Sequence, residues 1–479
     1  MIERLITQIL LFAPICTYIL SAVLSLFSDK KSYQYIICTL GPFIGLFSVI
    51  FITANFKTFI YKFNLVDITD TIQIYFKIDG LGIAFALLCT SLSVPACFYA
   101  VSYINQTKEN NQPRFFFYFY LSIATTIALA FSGNLITLFV FYEFLTLFTY
   151  PLVTHSKTPN AQKAGATYIS YLMLSSLVLL FPAIVIILNT TGTLEFTKSL
   201  LLAEKNPWAK SIILILFAFG TAKAGLMPLH RWLPAAMVAP TPVSALLHAV
   251  AVVKSGVFCI IKFCFYAFCT QNFASMPENI LIYVAGCTVL VASIIACQKT
   301  QLKEVLAYST ISQLSYMVMT ASMLTPDSVK AALAYMFIHG FAKITLFFAA
   351  GAIYIKTKQT SLEGIKGIGR RMPITAIAFC IGALAMIGLP PTSAFFGKMH
   401  IFSVAVLEQQ YFVIFVLIVS TGLNTLYFLP IVLDIFAKKN THNCSEASFF
   451  ITAPLCITAL FTVGLFFYCD RLLILLNHL

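Results

Sequence analysis

Residues 211–234 read SIILILFAFGTAKAGLMPLHRWLP, and residues 242–261 read PVSALLHAVAVVKSGVFCII. The first stretch opens as an uninterrupted apolar run and then admits Lys223 and a set of prolines. The second carries His248 and Lys254 in an equally apolar setting. A charged side chain at a bilayer centre costs about 2.5–3.5 kcal/mol on insertion scales. Such groups are tolerated where they face one another, or water, inside a bundle of helices. The stretch therefore predicts a polytopic membrane protein with a polar interior.

The rest of the chain agrees. Hydrophobic residues make up 60% of 479, charged residues 10%, and the mean hydropathy is +0.91. Soluble domains carry roughly 25% charged residues. Apolar runs near the ~20 residues needed to span a bilayer recur from end to end, without the period-2 alternation of a membrane barrel. The fold class expected is all-α, with about fourteen spans: 5–27, 35–56, 79–102, 113–131, 134–154, 165–189, 210–230, 241–265, 278–297, 302–322, 329–356, 371–405, 410–437 and 448–468. The first is too long and too weakly flanked by basic residues for a cleaved leader. The longest polar connections, near 57–78 and 190–209, leave no room for a soluble domain.

A net charge of +13 invites a nucleic-acid partner, but its distribution argues against one. The odd-numbered loops hold Lys30, Lys31, Lys108, Arg114, Lys157, Lys163, Arg231, Lys299, Lys303, Lys356, Lys358, Lys366, Arg370, Arg371, Lys438 and Lys439. The even loops and termini hold Arg4, Lys57, Lys62, Lys77, Lys198, Lys205, Lys210, Lys330 and Arg471. The positive-inside rule then puts the odd loops in the cytoplasm and both termini outside, in a multi-pass protein of the cell (inner) membrane. The thirteen cysteines form no C-x-x-C pair and read as small buried hydrophobes. There is no Walker loop, dinucleotide fingerprint or iron–sulfur spacing. No cofactor, no metal and no catalytic chemistry of its own are expected in this chain.

Five basic residues fall inside predicted spans: Lys223, Lys254, Lys262, Lys343 and Lys398. Among the acids only Glu143, in LITLFVFYEFLTLFTYPLV, is mid-span; His248 and His339 are internal too. Lys262 lies near a span end and reads as a snorkelling lysine. Lys343 has a packing role as its alternative, and Glu143 with Lys223 a structural ion pair, although buried pairs add little to stability. A lysine beside a carboxylate keeps its proton, and burial without the carboxylate favours the neutral amine, which suits a proton relay. His339 and Lys343, four apart, share a helix face. His248 and Lys254, six apart, are separated in a regular helix by about 9 Å of rise and about 120°, so a path joining them needs water or a third side chain. Pro228, Pro234, Pro240 and Pro242 break one span just after Lys223, and Pro390 and Pro391 break another just before Lys398. Paired breaks in two halves point to a transporter site. The chain divides accordingly into helices 1–3 (1–112), a first five-helix repeat (113–267), a second (268–440) and a C-terminal helix (441–479).

PLHRWLPAAMVAPTPVSALLHAVAVVKSGVF at 228–258 resembles the signature of the proton-conducting, antiporter-like membrane subunits. LKEVLAYSTISQLSYM at 302–317, IHGFAKITLFFAAGAI at 338–353 and GLPPTSAFFGK at 388–398 are further matches. That family comprises the large membrane subunits of complex I, related membrane hydrogenase subunits, and the A-type and D-type components of Mrp-type Na⁺/H⁺ antiporters. The resemblance runs from about Asp79 to Lys439. It implies fourteen helices with two inverted five-helix repeats and broken helices 7 and 12. It also implies a proton relay of Glu143, Lys223, His248, Lys254, His339, Lys343 and Lys398, the last exchanging protons with the far side. Chain length and Lys398 favour the D-type Mrp component, while His248 within LLHA departs from the D-type pattern. The implied function is monovalent cation (Na⁺)/H⁺ antiport; the alternative is proton pumping in an NADH:quinone oxidoreductase or a membrane hydrogenase. A scaffold that moves nothing has no use for these buried charges. The implied partners are other membrane subunits, the lipid bilayer, protons and Na⁺, with no nucleic acid. No sodium site is assigned, because Glu143 is the sole mid-membrane acid.

Overall fold

The computed structural model describes residues 2–27, 31–56, 62–69, 72–196, 207–269, 279–437 and 444–469. Lys30, Lys57, Lys198, Lys205, Lys438, Lys439 and Arg471, counted above for orientation, lie outside the described residues. The helices are α1 (Ile2–Leu26), α2 (Lys31–Ala54), α3 (Gly80–Thr107), α4 (Gln112–Ala130), α5 (Leu135–Val153), α6 (Pro159–Thr191), α7 (Pro207–Gly220), α8 (Thr241–Ala267), α9 (Ile280–Cys297), α10 (Leu302–Ala321), α11 (Pro326–Thr357), α12 (Pro373–Ile387), α13 (Ser393–Leu407), α14 (Tyr411–Ile435) and α15 (Phe449–Phe467).

Ten of the described helices are long and apolar enough to cross a membrane, or eleven if the bent segment 363–387 is one span. The expected count of fourteen is thus not confirmed among the described residues. Within those residues Leu10–Leu26 of α1, Trp208–Gly220 of α7 and the whole of α13 are further apolar helical stretches of fewer than 18 residues. Helix α10 falls short for another reason. It is rich in Ser309, Thr310, Ser312, Gln313 and Ser315, all fully buried, so its polarity faces protein rather than lipid.

Burial sorts the bundle into a spine and a shell. The apolar cores of α8 and α11 are entirely buried, against 44% for α5 and 39% for α6, α14 and α15. A helix apolar all round belongs in the interior of a large bundle. Small residues let neighbours come close. A Cβ on Gly256 of α8 would collide with the Ala224 nitrogen, and one on Gly340 of α11 would lie 2.9 Å from Leu92 of α3. Two helices also contain a wide π turn, Ser176–Leu180 in α6 and Leu246–Val250 in α8. Such turns are frequent at functional sites.

One departure from an all-α chain lies in the connection after α2. Strand β1 (Lys62–Asp67) pairs antiparallel with β2 (Gln73–Lys77). This hairpin caps one end of the bundle. Phe76 bridges to Ser132, Asn134 to Glu195, and the Asn134 amide donates to the Gln73 carbonyl at 2.6 Å.

Candidate functional site

The first break begins earlier than the prolines suggest. Helix α7 ends at Gly220, and Lys223 lies in a short 3₁₀ turn, Ala222–Ala224, closed by Gly225 at φ +76°. The turn is pinned from two sides: Gly256 of α8 packs against its backbone, and the Trp232 indole donates to the Ala222 carbonyl at 3.0 Å. Lys223 is wholly buried. Its ammonium donates to the Tyr142 carbonyl of α5 at 2.6 Å and stands 3.1 Å from the centroid of the Tyr142 ring. Glu143, the next residue, is within Coulombic reach of Lys223, but no direct ion pair joins them. Both of its carboxylate oxygens are shielded and without a hydrogen-bond partner in the protein. The Ser176 hydroxyl of the α6 π turn is close by, but it donates to the Leu172 carbonyl at 3.0 Å.

The spine carries the central groups. His248 sits in the π turn of α8, against the Phe347 ring, with neither ring nitrogen bonded to protein. Lys254, also on α8, meets His339 Nδ1 of α11 at 2.6 Å. His339 thus bonds Lys254 but not His248. Nε2 of His339 is unpartnered. The Lys343 ammonium donates to the Ser309 hydroxyl of α10, and its charge reaches both His248 and Lys254. These four side chains are all fully buried.

The second break is shorter. Helix α12 ends at Ile387 with Gly388 at φ +90°, and α13 resumes at Ser393. Lys398 lies inside α13 and is 8% exposed. Its ammonium reaches back to the Ile387 carbonyl at 2.8 Å, the Met386 carbonyl at 3.3 Å and the Thr421 hydroxyl at 3.3 Å. It also lies 5.7 Å from the Tyr316 ring of α10. A cation at a helix C-terminus is favoured by the exposed carbonyls there.

Lys262 overturns its expectation. It does not snorkel: it is fully buried and pairs with Asp79 at 3.1 Å. Closeness to a span end says nothing about what covers that end, and here the β-hairpin and its loops do. The neutral groups of the site carry no comparable mark in the sequence. Tyr335, His339 and Lys343 fall at steps of four on α11, and that spacing is the available signal. Tyr335 donates to the Gln313 side chain, and its ring centroid lies 6.2 Å from that of Tyr316, towards Lys398. Lys303, counted above as a loop charge, instead donates to the Ala239 carbonyl at the end of the first break, at 3.1 Å.

The arrangement is three groups of buried bases, one at each broken helix and one on the two-helix spine. A family model described as NADH:quinone oxidoreductase/Mrp antiporter, transmembrane, matches residues 132–424 and so includes all seven of these residues. The chain is 33% identical over 352 residues to a chloroplastic NAD(P)H-quinone oxidoreductase subunit 5 of Adiantum capillus-veneris, covering 69% of this chain and 46% of that one. It is 28% identical over 479 residues to the protein of the same name from Chaetosphaeridium globosum, covering 90% and 69%. The chain thus spans about half the length of the first and about two thirds of the second. Among solved structures, it superposes on a chain of the Mrp complex from Dietzia sp. DQ12-45-1b with a TM-score of 0.87 at 20% identity, covering 98% of this chain and 96% of that one. A chain of an archaeal membrane-bound sulfane sulfur reductase superposes with a TM-score of 0.85 at 23% identity, with the same coverage. At these identities the superpositions speak for the fold.

Proposed function

The chain belongs to the NADH:quinone oxidoreductase/Mrp antiporter transmembrane family, and from that premise we propose that it is the proton-translocating, D-type component of a multisubunit Na⁺/H⁺ antiporter. The observation that carries this reading is the Lys254–His339 contact at 2.6 Å between two wholly buried helices. Around it, Glu143, His248, Ser255, Gln313 and His339 each keep a buried polar atom with no protein partner. Buried polar groups need partners, and water supplies them where the protein does not. Water between these groups completes a path for protons.

In this reading a proton loads Lys223, and ionisation of Glu143 sets how firmly it is held. It then passes by way of water, His248, Lys254, His339 and Lys343 to Lys398. The units 113–267 and 268–440 are inverted repeats, each contributing one broken helix and one half-channel. The odd loops face the cytoplasm of a cell (inner) membrane, by the lysine and arginine bias. Sodium crosses elsewhere in the assembly. The resemblance at Lys398 supports the antiporter form.

The curated relatives named as NAD(P)H-quinone oxidoreductase subunits favour a second reading, in which a redox reaction in partner proteins drives the same path. Gentle solubilisation, capture on a C-terminal tag and mass spectrometry separate the two. Small hydrophobic partners without redox proteins support antiport; flavin- and iron–sulfur-bearing partners support the redox form. The relay itself is tested in the reconstituted complex. Glu143→Gln and Lys223→Met should each cut driven proton transport roughly a hundredfold while assembly is unchanged. Full transport by either variant would overturn it.

A further inference from the structure

Lys262 differs from the other buried lysines along this line in pairing directly with a carboxylate. Its ammonium meets Asp79 Oδ2 at 3.1 Å, the Ser132 carbonyl at 2.9 Å and the Ala130 carbonyl at 3.4 Å. Asp79 is equally complete. Its Oδ2 also accepts from the Tyr266 hydroxyl at 2.9 Å, and its Oδ1 accepts from the Gly82 amide at 2.7 Å, capping α3. The cluster therefore stitches together the start of α3, the end of α4 and the end of α8. Where relay groups such as Glu143 and His248 keep unpartnered atoms, none of the three side chains here does.

Its position is specific. Gly256, Cys259 and Lys262 follow one another at steps of three along one face of α8. Gly256 forms the floor beneath Lys223, and Cys259 lies within Coulombic reach of both lysines. Lys262 thus closes the line that leads from Lys223 towards the hairpin end of the bundle. Aromatic pairs fill the flanks: Phe217 stacks on Phe263 at 4.0 Å and Phe85 on Phe258 at 4.4 Å. Phe196, from the loop that pairs with the hairpin region, lies 4.8 Å from the ammonium. The backbones of α3 and α4 approach closely here, since a Cβ on Gly82 would lie 2.5 Å from the Ala130 carbonyl.

We propose that Lys262, paired with Asp79 and held by Tyr266 and the end of α4, is a fixed ion-pair plug that seals the hairpin end of the first half of the bundle against protons. A relay lysine must give up its proton and needs a wet, adjustable environment. A plug needs the opposite: a buried ammonium whose donors, and whose carboxylate partner, are already taken up by protein. A passage filled by such a pair offers a proton no free acceptor and no room for a water chain. The structural alternative, a stabilising ion pair, is weak because desolvation offsets most of the Coulomb gain in a buried pair. The proposal rests on the relay reading, since a seal has meaning only beside a conducting path.

The test uses the intact complex in liposomes carrying a pH-sensitive dye, with a pH step and no driving ion or substrate. Lys262→Met should raise passive proton permeability at least about tenfold, whereas Lys262→Arg, which keeps the charge, should stay tight. Tyr266→Phe, which removes one clamp without removing the charge, should leak less than Lys262→Met and gives the reading if Lys262→Met fails to assemble. A complex that stays tight in Lys262→Met, or in Tyr266→Phe when that variant is the one at hand, overturns the plug. The Glu143→Gln variant, assayed for driven transport in parallel, keeps the two ideas apart. A dead Glu143→Gln with a tight Lys262→Met removes only the plug; an active Glu143→Gln removes the relay.

Discussion

The two broken helices solve one problem in different ways. The first break runs from 221 to 240 and holds Lys223 in the gap itself, against an intact neighbouring helix. The second is confined to 388–392 and leaves Lys398 inside the following helix, reaching back to the carbonyls that the break exposes. Beside Lys223 stands Glu143, a charge that protonation can switch off. The partners of the Lys398 ammonium are dipoles, two carbonyls and a hydroxyl, which cannot be switched. A helix C-terminus presents roughly half an elementary charge. The difference teaches that, in the proposed relay, the first site has a neighbour that can change its proton affinity and the second has partners that are fixed.

The strongest attack on this contrast is Lys398→Arg. Guanidinium keeps the carbonyl contacts but does not deprotonate in proteins. If Lys398 releases protons, driven transport should fall by roughly a hundredfold with normal assembly. Retained transport would mean that Lys398 merely ties the break together, and the comparison with Lys223 would collapse. A smaller effect sharpens the contrast. Thr421→Val removes one neutral hydrogen bond from Lys398 and should lower transport by only a few-fold, in keeping with about 1 kcal/mol for such a bond. An effect as deep as that of Glu143→Gln would show that the second site also depends on a single decisive partner.

The charged part of this site is legible in the sequence because an ionisable residue in an apolar run is a loud signal. Lys223, His248, Lys254, His339, Lys343 and Lys398 are all buried, as their surroundings predict. The neutral partners are quieter. Tyr142 and Ser309 resemble any interfacial or helix-packing residue until another element brings a lysine to them, and Gln313 until α11 brings Tyr335. Lys262 escapes the sequence because exposure depends on what covers a helix end, and Asp79 reads there as an ordinary helix cap. The separation of His248 and Lys254 holds for a regular helix. The π turn at 246–250 alters that register, which no spacing rule anticipates. The hairpin is hidden because its strands are short and lie in a polar connection, where apolar periodicity is silent.

The complete burial of α8 and α11 has a consequence beyond conduction. No lipid and no neighbouring protein touches the spine over its apolar length, so whatever powers the chain must act through the outer helices. Of the proposed relay groups, Glu143 on α5 and Lys398 on α13 lie on such helices, and Glu143 is the more exposed of the two. A neighbour that shifts α5 by a fraction of an ångström changes the field at Lys223 without entering the core. With the proposed relay, the chain is a portable module, its conducting interior insulated and its control on the outside. A module of this kind can be harnessed to a new engine by changing its outer face alone.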